Sequence, residues 1–219
     1  MRARRMRVTR ADAPFVPIDA VYVFTAADFR VCLQRSRERT AANRRLGIVD
    51  KNRSGRPGEA IDLQGVLGEY ALAKLFGVED LTVNTECCSA AKDRFDATLW
   101  DKSIDVKTIF YTHLGLLVYS WKADVPLAQR PDLYALMHLH GWSDGLALHN
   151  LNASDAPRGF SLTASFKGMI PSKVILTEEY LKPARDGVTP DFYAPLERLR
   201  PWHDLLCDLH GGENVMEVC

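Results

Sequence analysis

Three charged side chains in one short stretch have types and spacing that suit catalysis. Residues 94–108 read RFDATLWDKSIDVKT, and they place Asp96 ahead of Asp105 and Lys107. Apolar and polar residues alternate on both sides of positions 101–102, which is the period expected of half-buried strands. The pattern therefore predicts a β-hairpin whose turn is the Asp-Lys pair at those two positions.

A turn at that place fixes the register of the predicted hairpin. Asp96 then lies opposite Lys107, and Thr98 lies opposite Asp105, so the two carboxylates are diagonal neighbours about 7–8 Å apart at the backbone. The opposite face of the hairpin is apolar or threonine, and we expect that face to be buried because a one-residue slip would bury the charges instead.

Two carboxylates and a lysine on one face suit metal-assisted hydrolysis of a phosphodiester bond. Carboxylate oxygens are preferred by Mg²⁺, which uses one or two of them together with water and substrate phosphate. Asp96 and Asp105 are the predicted ligands, and Lys107 is predicted to orient the attacking water or to offset charge in the transition state. The alternative is a charged strand edge, because a chain with 28 acids and 9 lysines should contain about one acid-x-lysine triplet by chance.

A buried glutamate is predicted upstream of the hairpin. Residues 62–77 read as a helix with Asp62 as N-cap and Gly77 as its stop. Glu69 is the only charge between positions 63 and 73, and a helix that is apolar nearly all round is buried. A buried carboxylate is costly unless it is paired or binds metal. Glu69 is therefore predicted to complete the metal site and to take part in catalysis, with pairing to an arginine as the alternative.

The net charge of zero conceals a basic front and an acidic remainder. Residues 1–60 carry 14 Lys and Arg against 6 Asp and Glu, whereas residues 61–219 carry 14 against 22. A helix is predicted from a capping box at Thr25 and Asp28 to about residue 46. Its predicted buried contacts are Phe29, Val31, Cys32 and Leu33. Six basic residues of this helix and the following loop are predicted to contact nucleic-acid phosphates, with a solvated helix face as the alternative: Arg35, Arg37, Arg44, Arg45, Lys51 and Arg53.

The remaining pattern predicts a mixed α/β fold in one domain. Further strands are expected at residues 81–86, 114–121, 133–139, 146–149 and 160–166, and a helix at 196–210 with a break at Pro201. A basic arm and extended lead-in at 1–24 precede a domain at 25–219, with its core at 60–176 and a helical extension at 177–219.

The cysteines and the N-terminal sequence predict a cytoplasmic protein. Five cysteines form no CxxC pair and are odd in number, as expected of a reduced chain. The basic start is not followed by an uninterrupted apolar run, so a signal peptide is not predicted, and no stretch approaches a membrane span. His138 and His140 alternate on a predicted strand, but zinc is disfavoured because no third histidine or cysteine is positioned to join them.

Residues 25–175 resemble the PD-(D/E)xK nuclease superfamily. The likeness is carried by a GxxGExA-like helix containing Glu69, then FD on one strand and DVK on the next. It implies a restriction-endonuclease-like fold, a central mixed β-sheet flanked by helices, and dependence on Mg²⁺ or Mn²⁺. Glu69, Asp96, Asp105 and Lys107 match the metal-binding and catalytic positions of that superfamily. Phe95 replaces the proline of the name, and the glutamine-tyrosine motif of the exonuclease branch is absent.

The order of these motifs further resembles uncharacterised phage and prophage proteins of that superfamily, for which the compartment would be the bacterial host cytoplasm. The sequence thus predicts a metal-dependent nuclease that acts on DNA rather than RNA and has no membrane partner. The alternative is a non-catalytic nucleic-acid-binding or structural phage protein on the same fold. An RNA-directed nuclease is a third interpretation, because phosphate contacts carry no information about the sugar. The sequence leaves open whether the chain forms a homo-oligomer.

Overall fold

The computed structural model describes residues 15–45, 47, 56–78, 96–99, 102–111, 114–142, 161–182 and 191–209. The strands of these parts, in chain order, are β1 (Val21–Val23), β2 (Ala97–Leu99), β3 (Lys102–Ile109), β4 (Leu116–Tyr119), β5 (Leu133–His140), β6 (Thr163–Pro171), β7 (Leu181–Lys182) and β8 (Asp191–Ala194). The helices are α1 (Ala26–Arg45), α2 (Gly58–Leu75), α3 (Ser172–Ile175) and α4 (Trp202–Leu209). The mixed α/β class predicted from the sequence is confirmed. The strands predicted at 81–86 and 146–149, and residues 1–14 of the arm and lead-in predicted at 1–24, lie outside the described residues.

Two sheets organise the chain. The larger is five-stranded in the order β1-β6-β5-β3-β2, and the smaller is three-stranded in the order β4-β8-β7. Only β3 and β5 pair in parallel among the strands described. β5 is central and reads as a nearly continuous apolar run because both of its faces are covered.

Alternate residues of β5 face two different cores, which divides the fold into three layers. Leu133, Ala135 and Met137 face a core shared with α1 and α2. Tyr134 and Leu136 face a second core shared with β4 and β8. The larger sheet is therefore packed between a helical layer and the smaller sheet.

α1 begins with the predicted capping box. The Asp28 backbone N–H donates to Thr25 Oγ1 at 3.1 Å, and the Thr25 backbone N–H donates to Asp28 Oδ2 at 2.9 Å. The Tyr70 hydroxyl donates to the other Asp28 oxygen at 2.6 Å, which ties α1 to α2. The prediction that Val31 is buried was wrong, because this side chain is 39% exposed. The other three predicted contacts, Phe29, Cys32 and Leu33, are buried.

Asp28 gives the fold a defined dependence on pH. Burial raises the pKa of its carboxyl, but the hydrogen bonds from Tyr70 and Thr25 outweigh burial and bring the pKa to about 2, below the ordinary 3.8. The ionised carboxylate therefore stabilises the fold above pH 3.8, and this contribution is lost as the pH falls toward 2.

We expect Asp28→Ala to lower the free energy of unfolding at pH 7 by about 0.5 kcal/mol, the low end of the range for a lost cap, because the Thr25 N–H loses its acceptor while Thr25 Oγ1 still accepts from the N–H of residue 28. The lost charge-assisted hydrogen bond should cost about 1.5–3 kcal/mol more. Urea denaturation at pH 7 and at about pH 3 should show the deficit shrinking in acid. Tyr70→Phe is the matched control, since it removes only the second contribution. A deficit that is equal at both pH values would contradict the assignment.

The N-cap of α2 lies five residues earlier than the sequence predicted. Pro57 is the N-cap, with extended backbone angles, and Asp62 lies inside the helix. The Asp62 carboxylate accepts from Thr40 Oγ1 of α1 at 2.6 Å instead of capping its own helix. The predicted stop is confirmed at Gly77, where φ is +65°. There the Val78 N–H bonds to the Ala73 carbonyl, closing a Schellman motif.

The hairpin has a different register from the predicted one. Its pairs are Ala97 with Ile104, Thr98 with Ser103 and Leu99 with Lys102. Lys102, predicted to lie in the turn, is therefore a strand residue, and the predicted register was wrong. The pairing is displaced by two residues in total, and an even displacement leaves every side chain on the face expected. Ile104 is accordingly buried in the core beneath the helices.

The sequence predicts a helical extension at residues 177–219, but the described part of this segment also contains two strands, β7 and β8. β8 pairs with β4, and β7 pairs with β8. The predicted helix at 196–210 is a 3-10 turn at Leu196–Arg198 followed, after Pro201, by α4. The strand predicted at 160–166 starts at Thr163 and continues to Pro171.

Candidate functional site

The four residues predicted to be catalytic line one pocket. It lies between α1, α2, β3 and the 3-10 turn at Ser120–Ala123 that follows β4. Glu69 comes from α2, Asp105 and Lys107 from β3, and Asp96 from the residue just before β2. Arg39 and Lys122, which the sequence did not single out, join them in the lining.

Asp96 is fixed by the backbone of β3. Its N–H donates to the Ile104 carbonyl at 2.8 Å, and its Oδ2 accepts from the Val106 N–H at 2.7 Å. Among the residues that the structure describes, β2 begins at Ala97, and none of its strand residues pairs with Val106. The Asp96 carboxylate satisfies the Val106 N–H and is thereby oriented into the pocket.

Asp105 is buried between two lysines. It is 4% exposed, its Oδ1 contacts Lys107 Nζ, and its Oδ2 lies 3.1 Å from Lys122 Nζ. Burial raises the pKa of Asp105, but the charges of Lys107 and then Lys122 outweigh burial and lower it below the ordinary value. Burial likewise lowers the pKa of Lys107, and the nearby Asp105 and Asp96 more than reverse this. At neutral pH the pocket therefore contains an ionised Asp105 and a protonated Lys107.

Glu69 has the arginine partner that the sequence allowed as its alternative. Arg39 Nη1 donates to Glu69 Oε1 at 2.8 Å, and Nη2 donates to Oε2 at 2.6 Å, which is a two-point pair between α1 and α2. Glu69 thus has a structural partner in Arg39. Its catalytic and metal-binding roles stay predictions.

The acids of the pocket repel one another. The pKa of Asp96 is raised well above its ordinary value by burial and by the negative charges of Glu69 and Asp105, while Lys107 and Arg39 oppose the shift. Two interacting carboxyls with pKa values pushed apart are typical of functional sites, although structural ion pairs also perturb pKa values.

The donor set fits a hard cation. Within the ranges described, no three His, Cys, Asp or Glu side chains form a group that could enclose a metal. Mg²⁺ does not require such a group, because one or two carboxylates with water and substrate phosphate suffice. Asp96 and Asp105 supply two carboxylates in one pocket. Both Glu69 oxygens accept from Arg39, which favours contact through water for this residue.

The two histidines of β5, His138 and His140, are adjacent to each other, and neither lines the pocket. Their rings are 4.4 Å apart, and His140 Nε2 lies 3.0 Å from Ser165 Oγ. Burial and then the neighbouring His140 lower the pKa of His138.

The basic residues predicted to bind phosphate are partly engaged within the protein. Arg44 pairs with Glu59 of α2, and the Arg35 guanidinium lies 5.9 Å from the centre of the Tyr70 ring. Arg37 and Arg45 are exposed on α1. Lys51 and Arg53 lie outside the described residues.

Comparison with protein families gives one match. The model of a family of unknown function, DUF5843, matches residues 14–207. The chain belongs to this family. The matched residues include all eight described strands, from β1 to β8, and every residue that lines the pocket. No curated protein and no solved structure matches the chain. Among the helices described, none is long and apolar enough to cross a membrane.

Proposed function

We propose that this DUF5843 protein is a metal-dependent nuclease that hydrolyses phosphodiester bonds in nucleic acid, with DNA favoured, on a restriction-endonuclease-like arrangement of its larger sheet. The observation that carries the proposal is the convergence of Asp96, Asp105 and Lys107 in one pocket with a second lysine, Lys122. Acids that hold a cation and lysines that face phosphate are the groups this chemistry needs.

Each group has a defined task in this proposal. Asp96 and Asp105 would hold Mg²⁺ or Mn²⁺, which when bound lowers the pKa of a water and polarises the phosphate. Lys107, already positioned by its contact with Asp105, offsets negative charge that develops on the phosphate during attack. The Arg39–Glu69 pair connects α1 to α2 beside the acids, and the arginines of α1 contact flanking phosphates.

A cleavage assay on supercoiled plasmid and on single-stranded DNA tests the proposal. Cleavage should occur with Mg²⁺ or Mn²⁺ and stop with EDTA, whereas Ca²⁺ should support binding with little turnover because it tolerates looser geometry. Absence of cleavage under all of these conditions, by protein that binds both DNAs, would favour a binding protein.

The arginine surface of α1 makes a separate prediction about binding. Replacing Arg35, Arg37, Arg44 and Arg45 together with alanine should weaken DNA binding and flatten its salt dependence, by about 0.9 in log–log slope for each duplex phosphate that the protein no longer neutralises. The measurement is a salt titration of affinity by fluorescence anisotropy. Arg198→Ala, an exposed arginine paired with Glu179, is the control. An unchanged slope would show that these arginines do not contact phosphates and only form a solvated face of α1.

A non-catalytic nucleic-acid-binding protein is the second candidate, and one observation favours it. Both oxygens of Glu69 and both oxygens of Asp105 already contact cationic side chains. Such saturation is also what a structural ion-pair network would give. The metal dependence of cleavage separates the two candidates.

A further inference from the structure

A large aromatic side chain is exposed beside the pocket. Trp121 is 53% exposed and precedes Lys122, which lines the pocket. The Lys122 ammonium lies 4.7 Å from the centre of the Trp121 ring and 3.1 Å from Asp105 Oδ2. One cation thus contacts both the indole and the carboxylate, so the ring borders the proposed reaction centre.

Hydrogen bonds with Asp191 and Arg130, which lie outside the 3-10 turn at Ser120–Ala123, fix the position of this turn. The Ser120 N–H donates to Asp191 Oδ1 of β8 at 3.1 Å. Arg130 Nε donates to the Val125 carbonyl at 2.7 Å, and its Nη2 donates to the Ala123 carbonyl. Anchoring at both ends positions the indole before any ligand arrives, which lowers the entropy cost of binding a flat partner.

An exposed indole next to a lysine matches the chemistry of an unpaired nucleotide. Bases stack on aromatic side chains whatever their sequence, because every base has a π-face, and basic groups beside the aromatic follow the backbone. Inside a duplex each base is already stacked on its neighbours, so its face is not available to the indole without the energy needed to unstack it.

We propose that Trp121 and Lys122 form a nucleotide subsite, in which the indole stacks on an unpaired base and Lys122 contacts the adjoining phosphate. The substrate class that follows is single-stranded DNA or a frayed duplex end. This inference rests on the proposed nuclease function and narrows it.

The test compares two labelled strands with the same number of phosphates, an oligothymidylate and an abasic strand of equal length. Binding is measured by fluorescence anisotropy with Ca²⁺ present. Trp121→Ala should bind the oligothymidylate about 5–150-fold more weakly than the wild type, with affinity for the abasic strand unchanged. Trp121→Phe should retain most of the affinity. Leu127→Ala, at a residue that is 78% exposed on the same connection, should match the wild type.

Three outcomes overturn the subsite. Trp121→Ala that binds both strands like the wild type shows that the indole does not stack, and equal weakening of both strands shows only a structural role. In either case, metal-dependent cleavage that is lost in Lys107→Ala would leave the nuclease proposal in place. A wild-type protein that binds neither strand and cleaves no DNA overturns both proposals together.

Discussion

Lys107→Ala should cleave DNA about 10²–10³-fold more slowly than the wild type, because removing one preorganised charge from a transition state typically costs about 2.7–4 kcal/mol. Its ammonium contacts Asp105 and lies 5.9 Å from the centre of the Tyr134 ring, so its position is set before substrate binds. Affinity for Mg²⁺ and DNA should be largely kept, since Asp96 and Asp105 remain. Single-turnover cleavage beside equilibrium binding separates the two quantities.

Lys102→Ala is the matched control for this experiment. Lys102 lies on the same strand, opposite Leu99, and is not part of the pocket lining. It should cleave at the wild-type rate. Wild-type cleavage by Lys107→Ala would remove this lysine from the mechanism.

Asp105→Asn should act on the cation as well as on the rate. The amide keeps the shape of the carboxyl but not its charge, so cleavage should be lost together with the enhancement of DNA binding by Mg²⁺. Asparagine is a better test than alanine because Asp105 is buried between Lys107 and Lys122, and an empty space there would leave two lysines without a polar partner. Retained Mg²⁺ enhancement in Asp105→Asn would place the cation elsewhere.

The alternation of the hairpin was sufficient to predict its faces but not its register. Asp105 and Lys107 share a face in any register because they are two apart on one strand, and an even displacement keeps Asp96 on that same face. The loop decides which residues pair, and Asp-Lys is not a strong turn dipeptide. The pairing of Leu99 with Lys102 therefore differed from the prediction without separating the predicted site residues.

The basic partners of Glu69 and Asp105 could not be predicted from the sequence, for a different reason. α1 contains six arginines, and choosing Arg39 for Glu69 requires the crossing geometry of two helices. Lys122 reaches Asp105 from a turn after β4, a strand of the other sheet. Contacts between layers depend on the path of the whole chain, whereas the capping box and the strand alternation are local and could be predicted.

Arg39→Met should be the most destabilising change near the pocket. It leaves Glu69, which is 3% exposed, with an uncompensated buried charge, and breaking a buried pair in this way costs about 3–5 kcal/mol. Arg39 is itself partly accessible at 19% of its side chain, so we expect the lower end of that range. Urea denaturation at neutral pH measures the loss. A change below about 1 kcal/mol would show that the pair behaves like an exposed one.

The double variant Arg39→Met/Glu69→Leu decides what Glu69 does. Replacing both members of a buried pair by apolar side chains is often close to neutral, so the double variant should recover most of the stability lost in Arg39→Met. A folded double variant that cleaves DNA like the wild type would limit Glu69 to holding α1 against α2. A folded double variant without cleavage, together with a stable but inactive Glu69→Gln, would instead place Glu69 in the catalytic site with Asp96 and Asp105, because stability and activity would then be lost separately.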